Sequence, residues 1–381
     1  MTQIKAHIPK IRFKEFSGEW ENGKIEDNFQ VRMCKIIFNH ETSNDGEIPF
    51  YKIGTIGKQA DSFISKELFD EYKTKYNYPK KGELMLTCSG TVGRTIIFDG
   101  KDSYFQDSNI VWLDNQKSEI NNNFLYYIIS NYDWGKLNAT TITRIYNDDL
   151  RKLKISFPSL PEQQKIASFL SSVDEKIEKI KEKKKNLEEY KKGVMQKIFS
   201  QEIRFKDENG EEFGEWEEKK LAEICEKQSS NISANTLETN TGNYKIYGAT
   251  GFLKFIDFYQ EEDDYISIVK DGAGVGRVLY CEGKSSVLGT LDKIKPKKGT
   301  NLNFLLSVLS NIDFTKYTIG STIPHIYFKD YGKEKVNLPT LKEQEKIADF
   351  LSGIDEKIEK VSDELEKMKE FKKGLLQGMF V

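Results

Sequence analysis

Cysteine is scarce in this chain of 381 residues, and the four that occur, Cys34, Cys88, Cys225 and Cys281, stand far apart. They form no CxxC or CxxxC pair, so their spacing indicates neither a disulfide framework nor a zinc site. Histidine is scarcer still, and the scatter of His7, His40 and His325 argues against a metal centre. No run of 18 apolar residues is present, so no segment reads as a membrane span. The opening stretch MTQIKAHIPKIRF lacks the charged-then-apolar layout of a secretory signal, and a cytoplasmic protein is expected.

Excess positive charge is missing as well. With 58 Lys and Arg against 60 Asp and Glu, the formal net charge is −2, which argues against a protein that holds nucleic acid by bulk electrostatics alone. Local basic surfaces remain open: residues 161–200 carry 10 basic and 7 acidic side chains, whereas residues 201–340 carry 18 and 22. Catalytic motifs are absent too. The glycines of DGAGVGR (Asp271–Arg277) are wrongly spaced for G-x-G-x-x-G, and the chain has no N/D-P-P-F/Y methyltransferase motif, no G-x-x-x-x-G-K-S/T loop and no nuclease-like carboxylate cluster. A non-catalytic chain without a cofactor of its own is expected.

What the sequence does contain is an internal repeat of about half its length. LPEQQKIASFLSSVDEKIEKI begins at Leu160 and LKEQEKIADFLSGIDEKIEKV at Leu341. Earlier echoes fall in the same order: IRF at Ile11 and Ile203, GEW at Gly18 and Gly214, SGTVGRTIIFDGK (Ser89–Lys101) with GAGVGRVLYCEGK (Gly272–Lys284), NNNFLYYIISNYD with NLNFLLSVLSNID, and TTITRIY with STIPHIY. The repeated unit is a globular segment of variable length followed by a closely matched helix. Within the globular parts, GELMLTCSG and DDYISIVKDG read as alternating strands running into glycine turns, and NFLYYIISNYDW reads as a buried helix. An α+β class is expected for both.

The helices show coiled-coil spacing. Ile166, Leu170, Val173, Ile177, Ile180 and Leu187, continued by Val194 and Ile198, alternate four and three apart, broken by Lys184 and Lys191. Ile347, Leu351, Ile354, Ile358, Val361 and Leu365 fall at the same offsets, followed by Met368, Leu375 and Met379. Connectivity predicts an antiparallel pair, because the first helix enters the second globular part and the second helix leaves it. At about 33 residues and about 1.5 Å per residue, each helix would span about 50 Å, close to one and a half turns of B-DNA.

Two globular segments, each followed by P-x-L-x-E-Q-x-K-I-A-x-F-L-S-x-[VI]-D-E-K-I-E-K at Pro158–Lys179 and Pro339–Lys360, strongly resemble the specificity (S) subunit of type I restriction–modification systems over essentially the whole chain. The resemblance implies two target recognition domains, residues 1–157 and 201–338, each reading one half of a split DNA sequence. The intervening helical regions, residues 158–200 and 339–381, would form an antiparallel coiled coil of pseudo-two-fold symmetry. It implies further that the partners are double-stranded DNA, two methyltransferase (M) subunits carrying S-adenosylmethionine, and restriction (R) subunits using ATP and Mg. One departure is Lys342 in the place of Pro161, which affects only how the helix starts.

Glycine turns let backbone approach a phosphate or base edge, and arginine reads guanine bidentately or pins a phosphate. Candidate DNA contacts are therefore Ser89, Thr91 and Arg94 in the first copy, and Lys270 and Arg277 in the second. The later turn adds Thr141, Thr143 and Arg144, with Thr322 and His325 as its counterparts, and KIKPKKGT (Lys293–Thr300) adds Lys297 and Lys298. The competing reading is structural: tight hairpins whose arginines make intramolecular contacts, and turns that dock each domain on its helix.

Overall fold

The computed structural model describes residues 8–106, 109–117, 119–137 and 144–380. The chain divides into two compact units, Met1–Lys179 with Leu365–Val381, and Ile180–Glu364. Each therefore holds one globular part and a portion of each long helix.

Unit 1 carries strands β1 (Glu21–Lys24), β2 (Phe29–Arg32), β3 (Ile48–Tyr51), β4 (Phe63–Ile64), β5 (Leu84–Thr87), β6 (Thr95–Ile97), β7 (Tyr104–Phe105), β8 (Ile110–Asn115) and β9 (Lys154–Phe157). Unit 2 carries β10 (Glu217–Lys220), β11 (Cys225–Ser229), β12 (Tyr244–Gly248), β13 (Gly251–Ile256), β14 (Tyr265–Val269), β15 (Val278–Cys281), β16 (Ser285–Val287), β17 (Leu291–Pro296) and β18 (Lys335–Leu338). Both units pair them alike, in sheets ordered β1-β9, β2-β8-β5-β6 and β4-β3-β7 in the first, and β10-β18, β11-β17-β14-β15 and β13-β12-β16 in the second. In the three-stranded sheets β3 runs parallel to β7 and β12 to β16. The strands β5 and β14 do not alternate as expected from sequence. Every residue of LMLT and YISIV is buried, because helices α1 (Asn122–Ser130) and α3 (Leu302–Asn311) cover one side of the four-stranded sheet while further apolar side chains fill the other. Both covering helices start on an asparagine cap: Asn121 accepts from the Phe124 N–H at 3.1 Å, and Asn301 from the Phe304 N–H at 3.0 Å.

The long helices are α2 (Leu160–Phe199) and α4 (Leu341–Met379), 40 and 39 residues, longer than the spacing of apolar residues alone suggests. Their starts are fastened by the Glu-Gln pair of the repeated motif, all four side chains being buried. Gln163 donates to the Pro158 and Glu119 carbonyls at 2.8 and 3.1 Å and accepts from the Asn121 N–H at 2.8 Å. Gln344 does the same with Pro339, Gly299 and Asn301, at 2.9, 3.0 and 2.8 Å. Glu162 takes a two-point ion pair from Arg12, at 2.8 Å on both oxygens, and Glu343 takes one from Arg204, at 2.9 and 3.1 Å. Each arginine also donates to the carbonyl of the GEW glycine, Gly18 or Gly214. The echoes IRF, GEW and EQ are thus three parts of one clamp. The copies differ in one bond: Trp216 Nε1 donates to Glu343 at 3.0 Å, whereas Trp20 Nε1 has no hydrogen-bond partner.

The helices run antiparallel in each unit. In unit 2 the end of α2 (Met195, Ile198) shares one apolar core with the start of α4 (Ile347, Leu351, Ile354), and one turn inward Lys191 meets Asp355 at 2.6 Å. In unit 1 the Ile11–Arg12 segment holds the start of α2 through Glu162 and the end of α4 through Ile11 N–H on the Gly378 carbonyl at 2.8 Å. Further in, Lys372 meets Asp174 at 2.5 Å. The two pairs are counterparts in the repeat. Lys191 is therefore no break in the pattern but half of a cross-helix ion pair. Ile166, Leu170, Val173, Ile177, Ile180, Ile347, Leu351, Ile354, Val361 and Leu365 are buried, whereas Leu187 and Ile358 are only half-buried.

Candidate nucleic-acid interface

In each unit three loops converge. The first is the glycine turn after β5 or β14. In unit 1 the Gly93 N–H donates to the Thr87 carbonyl at 2.8 Å; in unit 2 the Gly276 N–H donates to the Val269 carbonyl at 2.8 Å. Both glycines have positive φ, +78° and +83°. A Cβ on Gly93 would lie 2.2 Å from the Trp134 ring, and one on Gly276 2.5 Å from the Phe314 Cβ. These glycines are required by close packing as well as by conformation. Gly93→Ala and Gly276→Ala are each expected to cost about 1–3 kcal/mol from backbone strain, with a similar amount from overpacking. Gly272→Ala, at φ +85° but with nothing within 4 Å, should show the strain alone. Urea unfolding midpoints of the three variants check the ordering.

The second loop carries Arg144 or His325. Ile145 N–H donates to the Cys88 carbonyl at 2.9 Å, and its counterpart Ile326 to the Lys270 carbonyl at 3.0 Å. In unit 2 the Gly272 N–H also reaches the Pro324 carbonyl at 2.8 Å. Arg144 lies 5.7 Å from the Tyr146 ring and His325 5.1 Å from the Tyr327 ring, so each polar head is backed by an aromatic two residues on. Thr322 is exposed on this loop. Thr141 and Thr143 lie outside the described residues.

The third loop was not legible as a candidate. Arg94 Nη1 donates to the Gly54 carbonyl at 3.3 Å, and Arg277 Nη1 to the Ala249 carbonyl at 2.5 Å. Each arginine thereby pins the loop that follows β3 or β12, Lys52–Lys58 in one unit and the Ala249–Thr250 turn in the other. The only sequence signal was the glycines of YKIGTIGK and YGATG. Both arginines retain further guanidinium N–H groups, and Arg277 is exposed.

The remaining candidates are placed differently. Ser89 Oγ donates to Asn109 at 2.6 Å, and the carbonyl of exposed Thr91 accepts from the Arg94 N–H at 3.4 Å. Lys270 is engaged with buried Asp292 at 3.2 Å. Lys297 donates to the Ala222 carbonyl at 2.6 Å, and it and exposed Lys298 lie past the far end of β17, about 20 Å along that strand from the glycine turn. They do not join the loop cluster. Of the same lysine-rich stretch, Lys293 and Lys295 belong to β17 and both pair with Glu261. Burial pushes the Glu261 carboxyl up, but the two lysines outweigh it and hold the group below the ordinary carboxylate range. Burial pushes the Cys88 thiol, beside the first cluster, to about 12, which makes it inert as a nucleophile. Among the described residues no group of three His, Cys, Asp or Glu is placed to hold a metal ion, and no helix is long and apolar enough to cross a membrane.

Residues 17–189 and 214–370 each match the family model of the type I restriction modification DNA specificity domain. A putative type I restriction enzyme specificity subunit of Haemophilus influenzae is 53% identical over 40% of this chain, a stretch that spans 39% of that protein. The putative MjaX specificity subunit of Methanocaldococcus jannaschii is 25% identical over 98% of this chain and 95% of its own length. The crystal structure of a type I restriction–modification S subunit from M. genitalium matches the fold with a TM-score of 0.67 at 20% identity, over 98% of this chain and 99% of that one.

Proposed function

Because the chain belongs to the type I restriction–modification DNA specificity family, we propose that it chooses the DNA sequence for a multisubunit methyltransferase and restriction enzyme, without itself catalysing either reaction. Unit 1 reads one half of a bipartite target and unit 2 the other. The helices α2 and α4 fix the gap between the halves and scaffold two methyltransferase subunits and the restriction subunits. S-adenosylmethionine is held by the methyltransferase subunits, ATP and Mg by the restriction subunits.

One observation carries this reading. The three-loop cluster is built twice with the same backbone contacts, yet the side chains at matching positions differ, as with Arg144 and His325. A shared frame with different side chains is what two readers of different half-sites need, since phosphate contacts position and base contacts specify. The chain alone should neither methylate nor cleave DNA; with its methyltransferase partner it should methylate one bipartite sequence. Arg94→Ala and Arg144→Ala should relax one half of the methylated motif, and Arg277→Ala and His325→Ala the other, each lost base contact costing about 1–3 kcal/mol of discrimination. Methylome sequencing of cells expressing each variant reads the outcome. Unchanged preference with lowered stability would make these residues structural.

A further inference from the structure

The hairpin β12–β13 departs from regular pairing. Tyr247 sits opposite Phe252 and Ile246 opposite Lys254, so Leu253 is an extra residue on its strand, a β-bulge. Along an unbroken strand neighbouring side chains alternate between faces. Here Phe252 and Leu253 are consecutive and both half exposed, at 50% and 48%. They sit beside the Ala249–Thr250 turn that Arg277 pins, on β13, the edge strand of its sheet; Tyr247, opposite Phe252, also pairs with Val287 of β16, so only the Gly248–Gly251 pair and the turn extend past the third strand. In unit 1 the loop pinned by Arg94 presents exposed Lys58 and half-buried Lys52 and Thr55 instead.

An edge strand carrying three large exposed apolar side chains, Phe252, Leu253 and Phe255, the last in ring contact with Phe252, is a liability unless a ligand covers it. In the major groove of B-DNA arginine reads guanine and the apolar feature is the thymine C5-methyl group, the two chemistries that Arg277 and this apolar edge supply side by side. We propose that Phe252 and Leu253 are specificity determinants of the half-site read by unit 2, making apolar contact with a thymine methyl group. The inference rests on the DNA-reading assignment of that unit. It adds which residues reach a base and which chemical feature they read.

Deoxyuridine in place of thymine removes the methyl group alone. The complex of this chain with its methyltransferase partner is assayed on duplexes carrying the methylated motif, each thymine of both half-sites replaced singly. The expected result is about a fourfold fall in methylation at one or two positions of one half-site, the worth of about one methyl-sized group removed from water. In the Phe252→Ala, Leu253→Ala double variant that sensitivity should vanish, with the thymine preference relaxed at the same position and the other half-site unchanged. Phe252→Leu should retain it. The deoxyuridine series on the unmodified complex stands even if the double variant does not fold. Indifference of the unmodified complex to every replacement overturns the proposal. So does an unaltered deoxyuridine response in the double variant, and weakened methyltransferase binding alongside that unaltered response would assign the pair to protein docking. Methylation by the unmodified complex without any bipartite motif would instead sink the parent reading of the chain as a sequence chooser.

Discussion

Arg204→Ala should destabilise unit 2 by about 3–5 kcal/mol, the cost of stranding a buried carboxylate without its partner. The Glu343 side chain is fully buried, and Arg204 supplies a two-point ion pair to it. Once the guanidinium is gone, Glu343 keeps one side-chain donor, Trp216 Nε1. The loss also releases the carbonyls of Phe213 and of the GEW glycine, Gly214, which Arg204 bridges to the start of α4. Arg204→Lys should recover only part of the stability, because an ammonium cannot reproduce the planar fork. Urea unfolding of the two variants against the parent chain measures both differences. An effect below about 1 kcal/mol, typical of exposed pairs, would show that the clamp contributes little.

Lengthening the helical pair tests the proposed spacing role. Four residues inserted after Lys183 in α2 add about 6 Å with little net rotation. The Lys191–Asp355 pair fixes the matching position in α4, after Ser362, so a second insertion there keeps both rods equal. At about 34–36 Å per helical turn of DNA, the expected result is a methylated motif with both half-sites unchanged and the undefined gap lengthened by one to two base pairs. The single insertion in α2 can bulge, and one base pair or none is expected of it. An altered half-site with an unaltered gap in the double insertion would refute the spacing role.

Much of the fold was legible because repetition exposes it. The helices announce themselves through apolar residues at 3-and-4 spacing, and the echoes along the globular parts imply that both take one plan. What those echoes do was not legible. Arg12 and Glu162 are 150 positions apart, and only folding makes them a clamp. The alternation expected in LMLT and YISIV failed for a related reason: whether a strand is covered on one side or both depends on what packs there. Matching positions in the repeat singled out Arg94, Arg144, Arg277 and His325, and the structure puts the first two on loops that meet in unit 1 and the last two on loops that meet in unit 2. The loop Lys52–Lys58 and the turn Ala249–Thr250 were missed because nothing local marks a loop that an arginine elsewhere will hold. That Lys297 and Lys298 lie away from the loop cluster was not legible either, because a basic run carries no information about which end of a strand it follows.

The Ile11 N–H bond to the Gly378 carbonyl has a counterpart in mid-chain, where Ile203 N–H bonds the Lys197 carbonyl at 3.1 Å. In mid-chain this contact joins residues only a few positions apart along the backbone. In unit 1 the same contact is made between segments at opposite ends of the described chain. The same bond is therefore made whether or not the backbone runs directly between its two segments. Which globular part is translated first is a property of the gene and not of the contacts. A chain opened near Ser200 and joined from Phe380 to Ile8 by a short linker would be built from the same set of interactions.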